Sequence, residues 1–153
     1  MTNIVEARSL YKSFGSFVAL DNIDLSIPQG AISGLIGPNG AGKTTALKSL
    51  IGLCDADGDI CVAGQDPRVA RHKLMEDVCF IADVGILPKW LKVSQVLDYV
   101  EAVHPKFDRS KAQKFLSTTE IPSNKRIKNL SKGMVTQLHL AIVMAIDVSL
   151  LVL

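Results

Sequence analysis

Gly37-Pro38-Asn39-Gly40-Ala41-Gly42-Lys43-Thr44 is the stretch that decides how this chain is read. It fits G-x-x-x-x-G-K-[ST], the P-loop pattern, without a mismatch. Its glycines let the backbone turn tightly and approach a ligand without side-chain clash. Successive N–H groups then face one concavity and attract anionic oxygens. A helix opening at Lys43 adds its positive N-terminal end. Lys43 offers a cation to the β- and γ-phosphates, and the Thr44 hydroxyl is a hard oxygen ligand suited to Mg²⁺. Thr45 can add a contact to the α-phosphate. At average residue frequencies the pattern arises by chance in a chain this long on the order of once in a few hundred. The implied ligand is the polyphosphate of a nucleotide.

The flanks supply the strand–loop–helix context that the motif requires. Upstream, Ala31 to Ile36 is short, apolar and bounded by glycine, which predicts a buried strand. Downstream, Ala46, Leu47, Leu50 and Ile51 recur at helical spacing, and Gly52 suits a C-terminal cap. Farther upstream, Ile23, Leu25 and Ile27 alternate with Asp24 and Ser26, the period of a half-buried strand over 18–27. Pro28-Gln29-Gly30 reads as a turn. Beyond the loop, a turn at 55–58 precedes a strand over 59–63, and Pro67 opens a helix reaching Met75. A short apolar strand spans Val78 to Ala82. Ser94 is placed to cap a helix carrying Val96, Leu97, Val100 and Val103, which Pro105 ends. A helix follows over 109–119, Ser131 caps another that reaches Ile146, and 149–153 reads as a final strand. Strands alternating with helices predict an α/β protein with a mainly parallel core. No repeat, low-complexity segment or linker interrupts the chain.

Composition bounds the partners. The chain has 153 residues, 48% apolar and 21% charged, enough for one ordinary domain. Its net charge of +2 is too small to argue for a nucleic-acid partner, and none is expected. Lys125, Arg126, Lys128 and Lys132 form the densest basic cluster, read as a solvated face. Cys54, Cys61 and Cys79 make no C-x-x-C pair and an odd count, so reduced thiols in a cytosolic protein are the simplest reading. His72, His104 and His139 lie far from them in sequence. No basic n-region precedes an apolar run at the N-terminus. The most apolar stretch, Leu138 to Leu153, is interrupted by His139 and Asp147 and is too short to span a bilayer comfortably. Membrane association is therefore expected to come through a partner.

Further segments carry a resemblance. They are Leu10-Tyr11-Lys12-Ser13-Phe14-Gly15, Val18-Ala19-Leu20, Ile23-Asp24-Leu25, Gly58-Asp59-Ile60, Gly64-Gln65-Asp66 and Leu130-Ser131-Lys132-Gly133-Met134. With the P-loop wording itself, extended to Thr45, they resemble the ABC transporter ATP-binding domain from Ile4 to Leu153. The resemblance implies a P-loop NTPase fold of ABC type, with an N-terminal antiparallel β region and a helical subdomain over roughly 88–135. It implies ATP and Mg²⁺ as ligands, held by Phe14 and by Gly37, Pro38, Asn39, Gly40, Ala41, Gly42, Lys43, Thr44 and Thr45. Phe14 would stack on adenine, which needs no hydrogen-bond code; the alternative is a core aromatic. Leu130 to Met134 resembles the signature L-S-G-G-Q, with Lys132 for a glycine and Met134 for glutamine. In the family this segment reaches the γ-phosphate bound on the opposite subunit. Asp83 stands where the family has its Q-loop glutamine and could join Thr44 at the metal; the alternative is an ordinary strand-end Asp. The departures at Asp83, Lys132 and Met134 together resemble bacterial export-type subunits.

The resemblance implies further partners: a second ATP-binding subunit in a head-to-tail dimer, and membrane-spanning subunits docked near 83–93. That places the protein in the cytoplasm, peripheral at the inner face of the membrane. Ser149 to Leu153 looks like the hydrophobic half of a Walker B strand, after which the family carries an Asp and a Glu. The expectation is an N-terminal portion that binds ATP, with a C-terminal part missing and negligible hydrolysis by this chain alone. In the family a strand from beyond this point inserts between the P-loop strand and the Walker B strand, and without it the sheet is expected to have a gap or unpaired edges. The alternative is a non-catalytic nucleotide-binding fragment. A small P-loop kinase leaves Leu130 to Met134 unexplained.

Overall fold

The computed structural model describes residues 2–81 and 87–152. They divide into two compact units, the first running through Val78 and including Val152, the second running from Cys79 to Leu151.

The first unit is built on a long hairpin. β1 (Asn3–Phe14) and β2 (Phe17–Pro28) pair antiparallel, and β3 (Asp57–Val62) pairs antiparallel on the other side of β1, giving the order β2-β1-β3. β1 buries Val5, Ala7 and then Leu10. That skip from odd to even positions marks a bulge, where one extra residue shifts the alternation to keep the apolar side chains inward. The register breaks between Ala7 and Leu10, Ser9 has φ 48°, and its freed N–H donates to Asp24 Oδ1 at 2.7 Å. Ile60 and Val62 of β3 are buried as well, as are Ala46, Leu50 and Ile51 of the P-loop helix region and Leu74. Fully burying each large member contributes about 2 kcal/mol.

α1 (Lys43–Leu50) ends as its sequence predicts: Gly52, at φ 68°, donates to Ser49 O at 3.1 Å, and Leu53 donates to Lys48 O at 2.8 Å. These two bonds are a Schellman motif. Ser49 is fully buried, and its Oγ donates to Thr45 O at 2.9 Å, which satisfies it inside the helix. The loop after β3 is tied down by Arg68. Its Nε and Nη2 donate to Asp66 Oδ1 and Oδ2 at 3.0 and 2.7 Å, and Nη1 donates to Gly58 O at 2.9 Å. This bidentate pairing holds the Asp66 carboxyl below its usual range.

The second unit is helical. α3 (Val93–Val103), α4 (Arg109–Leu116) and α5 (Lys132–Met144) enclose Val96, Leu97, Ala112, Leu138 and Ile142. α4 is capped by Asp108, whose carboxylate accepts from Lys111 N–H at 3.0 Å. Arg109 joins α4 to α3 through Asp98 at 2.6 Å and Glu101 at 2.7 Å. His139 Nδ1 is buried with no hydrogen-bond partner among the described residues, and burial pushes the His139 pKa down. β4 (Val78–Phe80) and β5 (Leu150–Val152) pair in a two-stranded sheet. Among the described residues no helix is long and apolar enough to cross a membrane.

Several expectations are corrected. Ala31 to Ile36 forms no strand: Ile32 and Ile36 are fully exposed, at 104% and 98%, and Leu35 is exposed too. An apolar run becomes a buried strand only where neighbours take its backbone N–H and C=O groups, and no described strand pairs with it. The three-stranded sheet, antiparallel throughout, is the N-terminal antiparallel β region that the resemblance implies. The helix expected from Pro67 is confined to α2 (Arg71–Leu74), because residues from Pro67 onward form turns. α3 begins one residue before Ser94; Lys92 is its N-cap, and Gln95 Oε1 accepts from Lys92 N–H at 2.9 Å. Gln95, at the third helical position, thus satisfies the N–H of the cap residue itself, the reciprocal half of a capping box. α4 stops at Leu116, three residues short of the expected end. The strand expected over 78–82 covers 78–80, and Ala82 lies outside the described residues.

Candidate nucleotide-binding site

Residues 37–42 form an exposed loop that enters α1 at Gly42. Gly42 is the N-cap, in the left-handed region with φ 80° and ψ 1°. A Cβ there would lie 2.2 Å from Ala19 O of β2. The loop therefore lies directly on the hairpin backbone, a position only glycine permits. No side chain caps this helix start. The N–H groups of Lys43, Thr44 and Thr45 consequently have no intrahelical acceptor and are available to an anion.

Lys43 is half-buried, and its Nζ donates to Gly37 O and Pro38 O, each at 2.8 Å. The ammonium thus closes the loop upon itself, between its first residues and the helix start. Ala41 N–H donates to Pro38 O at 3.3 Å within the same turn. Gly37, Pro38, Asn39, Gly40 and Ala41 are all exposed, as is Thr44, while Thr45 is partly buried. These residues fit a polyphosphate: free N–H groups, a held cation, an accessible hydroxyl and no carboxylate within the motif.

Phe14 is 53% exposed and ends β1, directly across from Phe17. Lys12 Nζ lies 5.4 Å from the Phe14 ring centroid, within cation–π range. The ring is therefore not a core aromatic. Phe17 is two residues from Ala19, against which Gly42 packs.

Leu130 to Met134 lies in the helical unit at the start of α5. Ser131 is the N-cap, as its sequence predicts, and its Oγ accepts from Met134 N–H at 3.2 Å. Leu130 and Met134 pack against the helical core, whereas Lys132 and Gly133 are exposed. The first turn holds no acidic residue. Lys132 therefore places positive charge at the positive end of a helix, which favours an anion there. Asp83 lies outside the described residues. Among the described residues no group of His, Cys, Asp and Glu is clustered to hold a metal, so Thr44 is the described candidate ligand. The ion pair of Arg68 with Asp66 was not foreseen; a basic residue two positions beyond an Asp gives no periodic signal.

The family model for the ABC transporter matches residues 20–153. The chain belongs to the ABC transporter family. ABC relatives with curated descriptions agree. The ABC transporter ATP-binding protein YtrB of Bacillus subtilis is 30% identical over 98% of this chain and 51% of its own length. The Nod factor export ATP-binding protein I of Cupriavidus metallidurans is 32% identical over 100% of this chain and 52% of its own. The chain thus spans about half the length of these two relatives. Among solved ABC structures, cbiO1 from Clostridium perfringens, part of the complex cbiONQ, superposes with TM-score 0.79 at 22% identity, over 99% of this chain and 64% of that one. This likeness establishes the P-loop NTPase fold of ABC type, α/β in class, for the chain.

Proposed function

We propose that this chain is the nucleotide-binding portion of an ABC transporter ATP-binding subunit, holding ATP and Mg²⁺ on the loop from Gly37 to Thr45. The observation that carries this reading is the helix start at Gly42. Its N–H groups are uncapped, its glycine is pressed onto Ala19 O, and Lys43 is fixed beside it. Backbone donors and the Lys43 ammonium would take the phosphate oxygens, the Thr44 hydroxyl would be a ligand to the metal, and exposed Phe14 would offer a flat ring to adenine. Mg²⁺, when bound, would supply charge neutralisation at the β- and γ-phosphates. Asp83 is the second candidate at that metal.

In the same reading the helical subdomain covers 88–135, and Leu130, Ser131, Lys132, Gly133 and Met134 meet the γ-phosphate held by a second subunit in a head-to-tail dimer. Lys132, exposed in the first turn of α5, supplies the charge for that contact. Membrane-spanning subunits dock near 83–93, which keeps the protein at the inner face of the membrane and couples ATP to transport.

The test is calorimetric titration of ATP and ADP with magnesium into the purified chain, beside the Lys43→Ala variant. Saturable binding lost in the variant is expected. Folded protein without affinity for either nucleotide sinks the reading.

A further inference from the structure

Two segments whose paired residues are 32 to 39 positions apart in sequence are hydrogen-bonded side by side in the helical unit. Val93 N–H donates to Lys125 O at 3.0 Å, Ile127 N–H to Leu91 O at 2.9 Å, and Lys128 N–H to Lys89 O at 3.0 Å. Lys92 and Arg126 are antiparallel bridge partners between the first two of these bonds. They form a non-hydrogen-bonded pair, the arrangement in which opposed side chains stand closest. Val93 and Ile127, their neighbours, are buried, so alternation turns Lys92 and Arg126 outward. Like charges placed directly opposite each other destabilise a strand pair. Among the described residues neither cation, nor Lys125 or Lys128, has an ion-pair partner.

Lys92, Lys125, Arg126 and Lys128, with Asn124 and Asn129, line an open hollow of about 680 Å³. Two residues from Lys92, Trp90 is 72% exposed and is the sole tryptophan of the chain. The basic cluster is thus more than a solvated run: folding adds Lys92 to it and sets an exposed indole nearby.

We propose that this cationic hollow and Trp90 form a surface for anionic phospholipid headgroups. Guanidinium and ammonium groups without carboxylate partners suit lipid phosphates. An exposed tryptophan, apolar in body with one N–H, suits the headgroup level of a bilayer. A soluble partner would leave the indole in water or require an apolar pocket beside its acidic groups. The membrane supplies both chemistries on one surface. This inference does not depend on nucleotide binding; because Trp90 and Lys92 lie within the 83–93 stretch proposed above to dock membrane-spanning subunits, it concerns the chain apart from those subunits, which is how the test uses it.

The test uses the full chain with vesicles of phosphatidylcholine alone and of phosphatidylcholine mixed with phosphatidylglycerol. Sedimentation with the mixed vesicles at low salt, its loss at high salt, and a blue shift of the Trp90 emission on binding are expected. Each cation near an anionic surface adds about five-fold to partitioning, so Arg126→Gln with Lys128→Gln should lower it about 25-fold. Both side chains are exposed, and an unchanged far-ultraviolet dichroism spectrum and unchanged ATP affinity verify the fold. Lys43→Ala should bind vesicles as the unaltered chain does. Equal binding to both vesicle types, no binding, or binding indifferent to the double substitution overturns the proposal. Saturable binding of inorganic phosphate without vesicle binding also overturns it, in favour of a free-anion site.

Discussion

The two helix starts singled out by the sequence, at Gly42 and at Ser131, solve the same electrostatic problem in opposite ways. Each helix leaves N–H groups at its beginning that need an acceptor. At α5 the chain provides its own, since Ser131 Oγ takes the Met134 N–H. At α1 it provides none; the cap is a glycine in the left-handed region, and the nearest cation bonds to loop carbonyls. The first arrangement stabilises a helix whatever else happens. The second leaves donors free for a ligand. A helix N-terminus is therefore informative about binding when its own side chains have not satisfied it.

Substitutions sharpen that contrast. The largest effect is expected from Gly42→Ala, which drives a Cβ into Ala19 O at a positive φ. It should cost about 3 kcal/mol or more of stability in urea denaturation, and ATP binding should go with it. Lys43→Ala should separate the two properties. ATP affinity, measured by titration calorimetry, should fall on the order of 100-fold, as expected for loss of a charged hydrogen-bond donor. Stability should change by less than about 0.5 kcal/mol, because the lysine holds only an exposed loop. Ser131→Ala should cost about 1 kcal/mol by denaturation and leave ATP binding to the isolated chain untouched. A large loss of binding there would erase the distinction between the two helix starts.

Smaller effects complete the series. Lys132→Glu should stabilise α5 by about 0.5 kcal/mol at low salt, since it replaces an unfavourable charge at the positive helix end. The His139 pKa is lowered in the fold by burial, so the unfolded chain takes up its proton first. Stability should therefore fall as pH drops below the unfolded histidine value of about 6.5, with nothing gained above it. His139→Leu should flatten that slope in denaturation midpoints followed across pH. An unchanged slope would mean that His139 does not carry it.

What the sequence disclosed follows from where the information lies. The P-loop was legible because each of its residue types answers a local demand, and Gly52 and Ser131 cap their helices for equally local reasons. The strand over 18–27 was legible for the same reason and lies within β2, with Leu25 and Ile27 partly buried but Ile23 exposed. The segment 31–36 was misread because a strand is a relation between segments, and apolarity cannot report whether a neighbour is in register. β1 was hard to see as one strand because its bulge at Ser9 breaks the alternation. The knot of Arg68 with Asp66 and Gly58 O depends on three positions that share no period. The ribbon that joins Lys92 to Arg126 depends on two loops meeting, so only the Lys125–Lys132 half was visible beforehand.

The Lys43 ammonium, already seated on two peptide oxygens, has a kinetic consequence. A free lysine has about 2 kcal/mol of rotamer entropy to lose when it is immobilised. Here much of that loss belongs to folding, so an arriving phosphate need only displace carbonyls from a cation already in position. Arginine, with its rigid planar fork, would not fit the same seat, and even this charge-conserving exchange at position 43 should slow capture of the ligand.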